Sequence, residues 1–205
     1  TPVWDGSTIT KPAGAGTADN PYLISNGEEL AWMVMSYGGN NHFSFVDDIY
    51  LNDVDKIDWE TGVAEEGYTI NPWYNRTQAW QIFNGKVNGN GHVIYGLYTN
   101  DQTQFAEGSG GFGLFPVCGN VTINGLGIDK AYLEGYTMYS LGAFAGYGQG
   151  SLKGSMENCY VGADVTIKGK DAGAFVGGGD IASMFTIKNC YSLASIVIPN
   201  SVTSI

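Results

Sequence analysis

The strongest constraint on this chain is a repeat in its C-terminal half. "GGFGLF" begins at Gly110, "LGAFAG" at Leu141 and "AGAFVG" at Ala172, so Gly111, Gly142 and Gly173 recur at intervals of 31 residues. A second element follows each: "INGLGI" from Ile123, "MENCYV" from Met156 and "IKNCYS" from Ile187. An earlier copy precedes them, since Gly96-Leu97 in "IYGLYT" lies 29 residues before Gly125-Leu126. A unit this short cannot bury its own apolar face, and stacking copies solves the problem. Like positions then lie ~4.8 Å apart along the stack. The expected fold is all-β: a short right-handed parallel β-helix. Its interior should hold ladders of like positions. Leu97, Leu126, Cys159 and Cys190 are expected in one, and Phe112 or Leu114 with Phe144 and Phe175 in another.

The stretch "FNGKVNGNGHVIYGL", residues 83–97, reads as one rung of that stack. Val87, Val93, Ile94 and Leu97 supply inward apolar positions. Asparagine and glycine supply corners, because both tolerate left-handed backbone. The first third differs. "ISNGEELAWMVMSYGG" offers Ser25-x-x-Glu28 as a capping box, then Leu30, Met33, Val34 and Tyr37 at helical spacing, then Gly38-Gly39 as a stop. One amphipathic helix is expected at about 26–37, as an N-terminal α-helical cap that closes an otherwise open strand edge. The chain thus divides into an N-terminal segment and capping helix (1–45), a β-helix (46–195) with an insertion at 56–79, and a tail (196–205).

Composition limits the partners. The chain has 205 residues, 43% of them hydrophobic, with 31 glycines and a net charge of −11. Its only arginine is Arg76. A surface so short of cations neutralises few phosphates, so neither nucleic acid nor an anionic membrane is an expected partner. No run approaches ~18 consecutive apolar residues, so no membrane insertion is expected. "TPVWDGSTITKP" lacks the basic start and apolar centre of a signal peptide and reads as a mature or trimmed start. Cys118, Cys159 and Cys190 have no zinc spacing and leave an odd count. Two free buried thiols are favoured at 159 and 190, with a bridge between rungs as the alternative.

Several motifs together resemble the GLUG-repeat β-helix domains of large bacterial surface proteins. They are "WDG" at Trp4, "GTADNPYLISNGEELAWM" from Gly16, "YLNDVD" from Tyr50, "FNGKVNGNGHVIYGL", "GLF" and the "NCY" blocks. Those domains occur in adhesin-like proteins and in regions attached to IgA-cleaving metallopeptidases. The resemblance covers Trp4 to about Ser195. It departs from the family at Asn88, where aspartate is usual, and at 56–79, which looks inserted before Trp80. The tail "CYSLASIVIPNSVTSI" is similar to a leucine-rich repeat of the BspA-like type and looks like the start of one, as in a piece of a longer protein. The resemblance implies an extracellular, secreted or cell-surface location.

Candidate chemistry was sought among the polar and aromatic residues. A zinc peptidase is excluded by two histidines 50 residues apart with no H-E-x-x-H. His92, in its corner, is expected to be a hydrogen-bonded structural residue. Asp47, Asp48, Asp53, Asp55 and Asp58 cluster in sequence. They read as a solvated face or corner, with a calcium site (Asp47, Asp48, Asp53, Asp55) and a catalytic carboxylate pair as alternatives. No other cofactor is implied. The insertion carries Trp59, Tyr68, Trp73, Tyr74 and Trp80. Flat rings with polar neighbours suit sugar faces, and Trp59, Tyr68, Trp73, Tyr74 and Arg76 are the candidate ligand-binding residues. Trp73 and Tyr74 are expected to be exposed and Trp80 to be core. The competing reading is that the rings pack the loop down. The expected function is a non-catalytic, monomeric recognition or adhesion module binding a glycan, polysaccharide, or host or microbial surface protein. A polysaccharide hydrolase or lyase and a structural spacer are the alternatives.

Overall fold

The computed structural model describes residues 2–36, 38–73, 82–101, 111–135, 140–148, 153–179 and 184–198. Tyr37, Tyr74, Arg76, Trp80 and the tail from 199 lie outside these. The fold is a parallel β-helix. Each full coil contributes a short strand to five sheets in turn, and every strand pairing is parallel among the described residues except one hairpin in the insertion. Sheet A contains Tyr22–Ile24, His42–Phe45, Lys86–Asn88, Thr122–Asn124, Lys153–Glu157 and Met184–Lys188. Sheet B contains Ile49–Tyr50, Val93–Tyr95, Gly127–Asp129, Tyr160–Val161 and Tyr191–Ser192. Sheet C contains Tyr98–Asp101, Ala131–Gly135, Val165–Lys168 and Ser195–Val197. Sheet D contains Gly111–Phe112, Ser140–Gly142 and Asp171–Gly173, and sheet E contains Ile82–Phe83, Phe115–Cys118, Ala145–Gly148 and Val176–Gly179. The sheets therefore start at Tyr22, before residue 46, and reach Val197, beyond 195.

Inward residues form one continuous core, including Phe43, Phe45, Ile94, Leu133, Phe144 and Ile167. Aromatic rings run along it: Tyr22 to Phe43 at 5.7 Å, Phe43 to Phe83 at 5.9 Å and Phe83 to Phe115 at 4.1 Å. Like neighbours in successive coils let rings stack in offset geometry, worth ~1 kcal/mol per pair beyond burial. The corners use left-handed backbone as expected. Asn158 and Asn189 have φ of 54° and 52°. Their amides form a column, Asn158 Nδ2 donating to Asn124 Oδ1 at 2.8 Å and Asn189 Nδ2 to Asn158 Oδ1 at 3.5 Å.

The ladders differ in part from the sequence reading. Leu126, Cys159 and Cys190 do follow one another, since Gly127 pairs with Tyr160 and Tyr160 with Tyr191. Leu97 does not join them. Tyr98 pairs with Tyr132 and Gly127 with Val93, so Leu97 lies over Ala131 and Leu126 over His92. The cause is the "NGNGH" corner, which puts four residues between Asn88 and Val93 where Asn124 and Gly127 have two between them. In the second ladder Phe144 stacks on Phe175 at 5.8 Å. Phe115 pairs with Ala145, which sets Leu114 beneath Phe144, whereas Phe112 pairs with Leu141. Gly142 pairs with Gly173, but Gly111 pairs with Ser140. The glycine interval of 31 is thus structural only in the second step.

Helix α1, Gly27–Met35, follows the first strand of sheet A and inserts Leu30 and Met33 into the core at that end. Its cap sits one residue later than the sequence box. Asn26 Oδ1 accepts from Glu29 N at 3.0 Å, and the Glu29 carboxylate accepts from Ser25 N at 2.8 Å. Asn26 is in extended backbone, so its short side chain reaches the free amide of the first turn. Phe83 is 2% exposed between Phe43 and Phe115. Phe83→Ala is expected to cost about 3–5 kcal/mol, read as a lower midpoint in denaturant unfolding; an unchanged midpoint would mean that this ring column does not hold the coils together.

Candidate functional site

The insertion was the sequence-based candidate, and its rings turn inward. Ile57–Asp58 pairs antiparallel with Val63–Ala64. The hairpin turn is set by Asp58, whose Oδ1 accepts from Glu60 N at 2.9 Å and Thr61 N at 3.2 Å. These bonds hold its carboxyl below the ordinary range. Ile57 and Trp59 pack on Tyr98 and Tyr132, on the outer side of sheet C, as a second apolar cluster. Trp59 is 7% exposed, and its indole N–H donates to Val54 O at 3.0 Å. Tyr68 packs against the same cluster; its hydroxyl accepts from Asp53 N at 2.8 Å and donates to Asn52 Oδ1 at 3.3 Å.

Trp73 corrects the expectation of an exposed ring. It is 7% exposed within the main core, edge-on to Trp4 at 5.4 Å, with its indole N–H donating to Leu114 O at 3.1 Å. Its backbone substitutes for a sheet C strand in the first coil: Trp73 N donates to Tyr98 O at 2.7 Å and Trp73 O accepts from Thr99 Oγ1 at 2.9 Å. A residue in that place must point its side chain into the solenoid.

Sequence reasoning missed the residue that fastens the insertion. Asn52 is fully buried, and all its polar capacity is used. Its Nδ2 donates to Asn71 O at 2.9 Å and Gly96 O at 2.8 Å, while its Oδ1 accepts from Asn71 N at 2.7 Å. Gly96 has φ of 79°, and a Cβ there would meet Asn52 N at 2.6 Å. A buried amide so satisfied closes the loop at both ends.

The acidic residues do not converge. Asp47 Oδ1 accepts from Asp48 N, and Asp53 Oδ1 from Asp55 N, each within its own turn. Among the described residues no group of three or more His, Cys, Asp or Glu could hold a metal ion. Asp48 reaches elsewhere: its Oδ1 accepts from Val93 N at 3.0 Å and lies 3.1 Å from His92 Nδ1. His92 is thus a hydrogen-bonded corner residue.

That pair borders a different surface, on the outside of sheet B. Tyr50 stacks on Tyr95 at 5.0 Å, and Tyr160 on Tyr191 at 5.4 Å. Tyr50, Tyr95 and Asp129 share one register column. Tyr160 and Tyr191 share the column two residues earlier, with Val93 and Gly127. Glycine joins the two pairs. A Cβ on Gly127 would meet the Tyr160 ring at 2.4 Å, so that ring leans across the third coil toward Tyr95. A Cβ on Gly162 would likewise meet the Asp129 carboxylate. The result is a diagonal of four outward tyrosines crossed by Asp129 and flanked by Asp48 and His92. Tyr191 is 57% exposed and the other three rings are half-buried. The signal was present in the sequence as doublets, "IY" at 49 and 94 and "CY" at 159 and 190, each an inward residue followed by an outward tyrosine.

The electrostatics are those of a partly desolvated, acidic face. Burial first, then the charges of Asp48 and Tyr50, raises the Tyr95 phenol above its ordinary value. Burial first, then Tyr95 and Asp129, pushes Tyr160 up to about 12. Such a surface keeps its hydroxyls protonated as donors and presents ring faces for stacking.

No protein-family model matches the chain. In sequence it is similar to Halomucin of Haloquadratum walsbyi (strain DSM 16790 / HBSQ001), 30% identical over 170 residues. Those residues are 82% of this chain and 2% of that protein, so the chain corresponds to a small part of it. In structure it is similar to the crystal structure of a putative immunoglobulin A1 protease from Bacteroides ovatus, with a TM-score of 0.54 and 23% identity. That likeness covers 91% of this chain and 50% of the other, and it concerns the fold. No helix among the described residues is long and apolar enough to cross a membrane.

Tyr160 gives this face a pH signature. The folded state holds its proton above the ordinary value of 10.0, up to about 12. The contribution to stability is therefore complete below the ordinary value and is lost as pH rises toward about 12. Ultraviolet titration of the phenolates should show a late-ionising group that Tyr160→Phe removes. A late group that survives the substitution would contradict this arrangement.

Proposed function

We propose that the chain is a non-catalytic recognition module of an extracellular, surface-attached or secreted protein, and that it binds a glycan across the tyrosine face of sheet B. The observation that carries this reading is the diagonal of Tyr50, Tyr95, Tyr160 and Tyr191, with Asp48, His92 and Asp129 beside it. Pyranose rings present C–H faces that stack on aromatic rings and hydroxyls that pair with carboxylates, imidazoles and phenols. The scaffold is rigid, because each ring is held by strands paired on both sides or by its stacking partner. Cooperative stacking on a preorganised surface lowers the ordering cost of binding.

Further support comes from the GLUG-like and BspA-like motifs, from the similarity to part of Halomucin and from the acidic surface, with a net charge of −11. The parallel β-helix is also the scaffold of the solved neighbour. A non-catalytic role is favoured because among the described residues the carboxylates of the insertion point to separate turns rather than to one groove.

The test is retention on a panel of immobilised polysaccharides, with wild type beside Tyr95→Ala/Tyr160→Ala. Each ring contributes about 1 kcal/mol, so the double variant should bind roughly thirtyfold more weakly. New reducing ends would replace this reading with a carbohydrate-active enzyme. Undiminished binding by the variant would move the site elsewhere. No retention on any polysaccharide would leave a protein partner or a spacer.

A further inference from the structure

Cys159 and Cys190 occupy the same corner of successive coils. Tyr160 pairs with Tyr191, which makes the preceding cysteines axial neighbours. Each follows an asparagine with left-handed backbone, so the two corners have the same shape. The amide of Cys159 donates to Cys190 Sγ at 3.4 Å. Both sulfurs also point back along their strands in the same way, Cys159 Sγ toward Glu157 O and Cys190 Sγ toward Lys188 O, each at 3.2 Å. Adjacent coils hold paired Cα atoms ~4.8 Å apart, inside the ~4.4–6.8 Å range that a disulfide spans. Both are free thiols, Cys159 buried and Cys190 partly exposed. The third thiol has no such neighbour. Cys118 is buried in sheet E, where its partners are Phe83 and Gly148.

We propose that Cys159 and Cys190 are an oxidation site that closes as a disulfide between coils, with a small-molecule disulfide as co-reactant. The partly exposed Cys190 thiolate attacks one sulfur of that molecule and expels its first thiolate, giving a mixed disulfide. Cys159 then loses its proton to solvent and attacks the Cys190 sulfur, expelling the second thiolate. The protein gives up two electrons and two protons; the small molecule takes both and leaves as two thiols. The first step falls to Cys190 because of exposure: burial pushes the Cys159 thiol up to about 11 and leaves little of it as thiolate. The bond would tie the last coil, whose apolar residues Ile187 and Ile196 are more than two-fifths exposed, to the coil before it. This inference does not depend on glycan binding.

The experiment is incubation of the reduced chain with oxidised glutathione, followed by thiol titration under denaturing conditions and peptide mapping. The expected result is loss of two of the three thiols, a Cys159–Cys190 linked peptide pair and no retained glutathione. Closing a loop of this length should raise the thermal midpoint by about 5 °C. Cys118→Ser should still close, and Cys159→Ser should stop at a stable glutathione adduct on Cys190. If Cys118→Ser fails to fold, wild-type mapping alone decides. A stable adduct on wild-type Cys190, a link involving Cys118, or three unreacted thiols would each overturn the proposal.

Discussion

Axial register governs this molecule. A coil of about 30 residues has no internal sheet, so its strand amides and carbonyls find partners only in the coils above and below. Every outward or inward position is fixed by which residue of the next coil it faces. A one-residue shift within a strand would exchange the two faces. Register explains why Phe83 can stack between Phe43 and Phe115, why asparagines form a column at one corner, and why tyrosines from coils far apart in sequence share one surface.

The insertion shows how the solenoid handles an interruption. Where the first coil would form strands of sheets C and D, the chain leaves as a hairpin and returns at Trp73. The returning backbone still meets Tyr98 and Thr99, so the core loses no layer. The hairpin then spends its rings on the outer side of sheet C, against Tyr98 and Tyr132. Asn52 and Asn71 lock the exit and return together. Aromatic residues that look like a binding platform in sequence thus serve as the adhesive of a loop. Polar neighbours such as Asn71 satisfy buried backbone rather than a ligand.

Much of the architecture was legible because repetition is a property of sequence. The parallel coil, the asparagine corners, the Leu126–Cys159–Cys190 column and the cap helix all follow from spacing and turn chemistry. Other features depend on distances that spacing does not encode. The longer "NGNGH" corner displaces Leu97 from its expected ladder. The helix cap moves by one residue because the extended backbone at Asn26, not Ser25, points its side chain at the first turn. Burial of Trp73 depends on the path of the inserted loop. The tyrosine face went unread because each "IY" or "CY" looks like an ordinary strand doublet, and only stacking turns four of them into a surface. Gly127 and Gly162 complete it by leaving room for a neighbouring coil's side chain, a role visible only across coils.

The functional account rests on those outward rings being the contact surface. The most direct measurement is nuclear magnetic resonance of isotope-labelled tyrosine rings during titration with a bound polysaccharide. The account predicts that ring resonances of Tyr50, Tyr95, Tyr160 and Tyr191 shift together and saturate at one ligand concentration, while Tyr68, Tyr98 and Tyr132 stay still. Shifts confined to the insertion cluster, with the sheet B tyrosines unmoved, would contradict it.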